Sequence, residues 1–249
     1  MPSGSGVDTR RSVVFDEEVT ITEIPDFSTP RTIGRLRELR VVREPLRLGI
    51  NALSMARQPR GDGRPVIVIP GYGTNDASTL LVRSYLSGIG YRCTGWGLGV
   101  NTGEVERQLE EAIDVVEQRS ERYGRRVSLV AWSLGGVIAR EIARDRPELV
   151  GSVVTFGTPL YGPRHTATSM SRPSARRDDI ERLVIERAAR PITRPVTAIH
   201  SRNDGVVNWR ACVDPDPRTH NVEVSSSHVG LGLDPDVLVT VARALAAAD

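Results

Sequence analysis

The stretch Val127-Ser128-Leu129-Val130-Ala131-Trp132-Ser133-Leu134-Gly135-Gly136 decides the fold. Val127, Leu129 and Val130 form an apolar run with strand propensity. Leu134, Val137, Ile138, Ile142 and Ala143 follow near helical spacing, and Pro147 closes that pattern. A strand that turns into a helix at a serine flanked by small residues has the sequence form of a nucleophile elbow. The sharp turn lifts one Oγ off the end of a sheet. The usual pattern is G-x-S-x-G, and here Ala131 takes the place of the first glycine.

Outward from the elbow, strands and helices alternate. Val66–Pro70 is a continuous apolar run, as a buried parallel strand requires. Thr79–Ser87 reads as a helix, Tyr91–Trp96 as a strand and Val105–Tyr123 as a charged amphipathic helix. After the elbow, Val150–Phe156, Pro195–His200 and Asn221–Val224 read as strands, and Asp236–Ala247 as a closing helix. This alternation predicts an α/β fold: a mainly parallel, doubly wound sheet flanked by helices. The core domain is expected over 65–249, with a short cap insertion at about 160–194 and an N-terminal helical arm over 1–64.

A serine hydroxyl is a poor nucleophile near neutral pH. It needs a base within hydrogen-bond reach, a group that orients the base, and an oxyanion hole. Of four histidines, His228 sits in a small polar loop, Ser225-Ser226-Ser227-His228-Val229-Gly230, after the last strand. His200 reads as a core residue, His220 as a strand start, and His165 lies in a Pro/Gly-rich insertion. Asp204 stands at the tip of a turn after an apolar strand, with Asp214 and Asp216 as alternatives in a Pro-rich segment. The order Ser133, Asp204, His228 is the Ser…Asp…His order of the elbow hydrolases. For the oxyanion hole, one N–H comes from Leu134, directly after the nucleophile. The other is expected from the loop Ile69-Pro70-Gly71-Tyr72-Gly73, with Tyr72 as donor.

With these pieces in order, the chain resembles the α/β-hydrolase superfamily, and most of all its bacterial lipase/esterase-type members. The resemblance covers about Pro65–Ala247. It rests on P-G-Y-G at Pro70–Gly73, A-W-S-L-G-G at Ala131–Gly136, G-T-P at Gly157–Pro159, D-G-V-V at Asp204–Val207 and S-H-V-G-L at Ser227–Leu231. It implies Ser133 as nucleophile, His228 as general base and acid, Asp204 as orienter, and Tyr72 and Leu134 as oxyanion donors. Pro70 stands where many lipases carry His before the oxyanion glycine.

The glycine-rich loop Gly95–Gly103 is expected to line an acyl pocket with Trp96, Leu98 and Val100. Gly71, Gly73, Trp132 and Val207 complete the expected substrate-binding set. This apolar wall suits a carboxylic ester of moderate chain length, hydrolysed through an acyl-serine intermediate. No metal or organic cofactor is implied. The same triad would serve an acyltransferase or thioesterase, and a catalytically silent scaffold would be expected to have lost a triad residue.

The chain has 249 residues, enough for one sizeable core. Its 33 basic residues, all Arg, nearly balance 31 acidic ones. No nucleic-acid partner is expected without a concentrated basic face, and a phosphate loop is excluded because there is no Lys. No 18-residue apolar run exists, so no membrane span is expected. Met1–Asp16 carries no apolar core of a signal peptide, so a cytoplasmic chain is expected, with secretion of a processed form as the alternative. Cys93 and Cys212 lack metal-ligand spacing and read as free thiols. Met1–Gly6 reads as disordered and Val7–Phe27 as an extended arm.

Two segments admit two readings each. Arg31–Met55 carries Ile33, Leu36, Leu39, Val42, Leu46, Ile50 and Leu53 among arginines. It reads as one or two amphipathic helices broken near Pro45 and packed on the core, or as peripheral lipid contact. The segment Leu160–Arg194 is a surface loop with a helix over Asp178–Ala189, or a lid over the acyl pocket.

Overall fold

The computed structural model describes residues 36–167 and 174–248. The expectations for Met1–Gly6 and Val7–Phe27, and for Ile33, therefore lie outside the described residues. So do the start of the Arg31–Met55 segment and the middle of the cap.

Among the described residues, six strands form one sheet: β1 (Pro65–Ile69), β2 (Arg92–Gly95), β3 (Val127–Trp132), β4 (Val150–Phe156), β5 (Val196–Ser201) and β6 (His220–Val224). Their order is β2-β1-β3-β4-β5-β6, and every pairing is parallel. Apolar runs form the central strands because both faces of the sheet are covered. Alternate side chains then feed opposite cores. Ile67, Ile69, Leu129 and Ala131 enter one core with helices α3 (Val105–Tyr123), α4 (Leu134–Asp145) and α5 (Ala175–Ala188). Val66, Val68, Val130 and Val154 enter the other with α2 (Leu80–Gly88) and α6 (Pro235–Ala247).

The expected alternation is present, with local shifts at element ends. The helix expected from Thr79 starts earlier, as a 3₁₀ turn over Asp76–Thr79, because the Asn75 side chain accepts from the Ala77 N–H. Strand β2 is shorter than Tyr91–Trp96, since Tyr91 and Trp96 are core side chains flanking it. In the cap, α5 begins at Ala175 rather than Asp178, capped by the Ser174 hydroxyl on the Arg177 N–H at 3.2 Å. Its Ile180 and Leu183 are buried against the first core.

A 3₁₀ helix over Leu36–Arg43 leads into α1 (Glu44–Ala56), with Pro45 in the first turn, where its missing N–H costs nothing. This segment does pack on the core, but through a face that its apolar pattern does not mark. Leu39, Val42, Leu46, Ile50 and Leu53 are each more than 60% exposed. Charge docks the helix instead. Arg47 reaches Asp234 and Asp236 of the α6 start at 2.6 Å each, as well as Glu44 at 2.9 Å. Leu48 and Met55 pack beneath it on the second core. No helix among the described residues is long and apolar enough to cross a membrane.

The strand order reverses between β1 and β3: the chain runs from β1 outward to β2, then crosses back to β3 on the other side. At such a switch point the loops leaving the two strands part, and a crevice opens at their carboxyl ends. The loop after β1 carries Gly71–Gly73, and the loop after β3 is the Ser133 turn.

Candidate active site

Ser133 joins β3 directly to α4 with φ 54° and ψ −126°, a left-handed conformation that a side chain adopts only under strain. Its N–H is held by the Phe156 carbonyl at 2.9 Å, and its own carbonyl accepts from Gly136 at 2.9 Å. The turn is this tight only because Gly135 lacks a side chain. A Cβ there would lie 2.5 Å from the Pro70 carbonyl oxygen. The loop after β1 is thus pressed against the elbow, and a Cβ on Gly71 would lie 3.2 Å from the Ser133 Cβ.

Three side chains meet at this turn. His228 Nε2 lies 3.1 Å from Ser133 Oγ, and His228 Nδ1 lies 2.7 Å from Asp204 Oδ2. The other Asp204 oxygen accepts from the N–H groups of Val206 at 2.8 Å and Val207 at 2.7 Å. Room for the imidazole comes from Gly157 at the end of β4, at φ 60°, where a Cβ would touch the ring at 3.0 Å. Burial disfavours charging His228, but the Asp204 carboxylate and then Glu38 outweigh it and hold the imidazole above its ordinary value.

The alternatives lie elsewhere. His200 is buried in β5, stacked on Trp209 at 5.8 Å between ring centroids, and burial lowers its pKa. His165 is buried in the 3₁₀ turn Pro163–His165, and His220 is exposed at the start of β6. Asp214 is committed to Arg140 at 2.7 Å and to the Thr219 hydroxyl at 2.9 Å. Asp216 pairs with Arg218 on the surface. Among the described residues, only Asp204 and His228 join Ser133.

Tyr72 is half-buried and packs against the first core, and Leu134 opens α4. The Leu134 N–H, in the first turn of a helix, has no intrahelical acceptor. Gly73 is exposed at φ 72° and donates to the Asn101 carbonyl at 2.8 Å. Trp132 is half-buried, its ring centroid 5.6 Å from that of His228. Leu98 is half-buried against the first core, and Val100 is exposed.

Two of the expected substrate contacts, Trp96 and Val207, are buried. Trp96 is 1% exposed within the core, and its Nε1 donates to the Gly99 carbonyl at 3.0 Å. It holds up the glycine-rich loop from below. Val207 is fully buried, and its contribution is the N–H it gives to Asp204.

Sequence reasoning also missed three residues around the site. Asn101, fully buried, donates from Nδ2 to the Pro70 carbonyl at 2.9 Å and accepts from the Gly103 N–H at 3.2 Å. Its backbone pairs with Gly73 and Thr74, so it pins the loop after β1. Ser201, at the end of β5, donates to the Ser226 carbonyl at 2.6 Å and accepts from the Ser226 N–H at 3.1 Å. It ties the Asp204 loop to the His228 loop. Glu38, in the N-terminal 3₁₀ helix, accepts from Gly205, His228 and Val229. An Asn in a glycine-rich loop and a Ser at a strand end are weak signals, and a Glu 167 to 191 residues from its partners gives none.

The two cysteines are free. Burial pushes the Cys93 thiol up to about 12 and raises Cys212 as well, so neither is poised as a nucleophile.

The fold is the α/β-hydrolase fold of solved lipases and esterases. It is similar to a structure from work on LipS and LipT, two metagenome-derived lipolytic enzymes, at 15% identity and TM-score 0.58, over 77% of this chain and 95% of that one. It is also similar to Aspergillus fumigatus lipase B, at 17% identity and TM-score 0.62, over 79% of this chain and 57% of that one. A Paleococcus ferrophilus monoacylglycerol lipase matches at 17% identity and TM-score 0.56, over 77% of this chain and 97% of that one. No protein-family model and no curated protein matches the sequence.

Proposed function

We propose that this protein is a serine hydrolase of the esterase/lipase type, cleaving carboxylic esters through an acyl-serine intermediate. The observation that carries this reading is the chain of contacts from Ser133 through His228 to Asp204, set at the switch point of the sheet. The lipolytic relatives in fold support it.

Neutral His228 takes the Ser133 proton through Nε2 as Oγ attacks the ester carbonyl. Asp204 holds Nδ1–H, fixing the tautomer and stabilising the imidazolium that forms. Negative charge then develops on the carbonyl oxygen. The backbone N–H groups of Leu134 and Tyr72 are the proposed donors to it, aided by the positive end of the α4 dipole. The imidazolium returns its proton to the leaving alkoxide, which departs as the alcohol. Water, deprotonated by the same imidazole, attacks the acyl-serine and releases the acid. Gly71 and Trp132 stand beside Ser133, and we assign a moderate acyl chain to them together with Gly73 and Leu98.

The test is hydrolysis of p-nitrophenyl esters from acetate to palmitate, with Ser133→Ala beside the parent. Turnover by the parent and none by the variant is the expected result, and the chain-length profile separates esterase from lipase. A parent inert to every ester and to fluorophosphonate labelling would overturn the proposal.

A further inference from the structure

We infer that Glu38 is a positioning residue of this site: its one carboxylate clasps the loop bearing Asp204 to the loop bearing His228. The inference rests on the hydrolase reading proposed above. Oε1 accepts from the Gly205 N–H at 2.8 Å and from the His228 N–H at 3.0 Å, and Oε2 accepts from the Val229 N–H at 2.8 Å. A carboxylate offers about four acceptor positions, and a charged acceptor makes each bond roughly twice as strong as a neutral pair.

The two loops need such a tie. They leave β5 and β6, and among the described residues β6 is the edge of the sheet. Ser201 joins the loops near their base, through Ser226. Glu38 joins them at the residues next to the chemistry: Gly205 directly follows the acid, and His228 is the base itself. Without the clasp, the loops would be joined by Ser201 at their base and by Asn203, which donates to the Ser225 hydroxyl at 3.0 Å, and no tie would reach the His228 backbone itself. A misplacement of His228 slows the reaction even when every reacting group remains.

Glu38 touches neither Ser133 nor the crevice, so it acts through His228. It is delivered by a segment outside the sheet. Arg47, bonded to Asp234 and Asp236, anchors that segment to the start of α6. Three groups face His228 from three elements: Asp204 from the loop after β5, Glu38 from the N-terminal helix, and Ser133 from the elbow. The buried, protonated Cys212 lies beyond Asp204. Glu38 therefore brings a second negative charge to the imidazole as well as a mechanical tie.

The experiment follows His228 by NMR titration in the parent, Glu38→Gln and Arg47→Ala, with His228→Asn to assign the resonance. Ester kinetics are measured on the same samples. For Glu38→Gln the His228 midpoint should move to lower pH, since one of the negative charges facing the imidazole is removed. Its kcat should fall about tenfold or more, with KM changed less than about twofold. Arg47→Ala, which loosens the segment that delivers Glu38 but keeps the carboxylate, should lower Tm and move the midpoint the same way but less far. The inference is overturned if Glu38→Gln leaves the midpoint or kcat at the parent value. The titration decides the clasp whether or not an ester is turned over. Inertness toward esters and fluorophosphonate would strike the hydrolase reading instead.

Discussion

The Nδ1 atom of His228 lies 2.7 Å from Oδ2 of Asp204, with both side chains almost wholly buried and the second carboxylate oxygen taken up by two backbone N–H groups. The carboxylate is fixed from one side by its own loop and presents its free edge to the ring. This orients an imidazole before any substrate arrives.

The first prediction concerns pH. His228 must be neutral to accept a proton, and Asp204 and Glu38 hold it above 6.5 despite its burial. The acid limb of kcat/KM should therefore have its midpoint above that value. The sign for stability is the opposite. A raised folded-state pKa means that protonated His228 contributes stability that is complete below the unfolded value and lost as pH rises through the folded one. A pH–rate profile and Tm against pH check both; an acid limb below 6.5 would contradict the electrostatics.

A second prediction comes from the elbow. The φ of 54° at Ser133 stores about 1–3 kcal/mol of strain. Ser133→Gly relieves it at an entropic cost of about 0.5–1 kcal/mol, so the variant should be more stable than the parent by about 1 kcal/mol. Ser133→Ala keeps the strain and should not gain. Both should lose about 10⁴-fold or more in kcat. Urea denaturation of the two variants side by side decides it, and equal midpoints would refute the strain argument.

Asn101 gives a third. Asn101→Ala strands the Pro70 carbonyl and the Gly103 N–H in a buried site, which costs about 1–3 kcal/mol. The loop that it pins carries the proposed Tyr72 donor. The variant should therefore lose kcat more than KM, by about tenfold. Unchanged kcat in a folded variant would show that the loop holds its shape unaided.

The acid can be assigned by comparing two aspartates. Asp214→Ala leaves Arg140 buried without its partner and should cost about 3–5 kcal/mol, with activity per folded molecule retained. Asp204→Asn should do the reverse, dropping kcat by about 10⁴ with a smaller change in stability. Measuring active-site titre and Tm together separates the two patterns.

The legible parts of this chain were those encoded by neighbours in sequence. The buried strands announce themselves as apolar runs, and the elbow as a serine among small residues. The order of Ser133, Asp204 and His228 then follows from which loop leaves which strand. Contacts made by burial depth or across the chain were not legible. Trp96 and Val207 have the composition of a pocket wall, yet tertiary packing buries them. Leu39, Leu46 and Ile50 carry helical spacing that reads as a core face, but the ion pairs of Arg47 turn the helix the other way. Asn101, Ser201 and Glu38 work through hydrogen bonds to partners that no local pattern marks.

The separation of Glu38 from His228 along the chain, 190 residues, has a consequence for synthesis. Chains fold from the amino end as they are made, and the three elements that bring the base to Ser133 come late: β5, β6 and the loop after it. A nascent chain already holding the elbow still lacks both the acid and the base, and Glu38 waits without its ligands. The machinery stays silent until His228 has been added, so a product truncated before it carries the serine without the means to activate it.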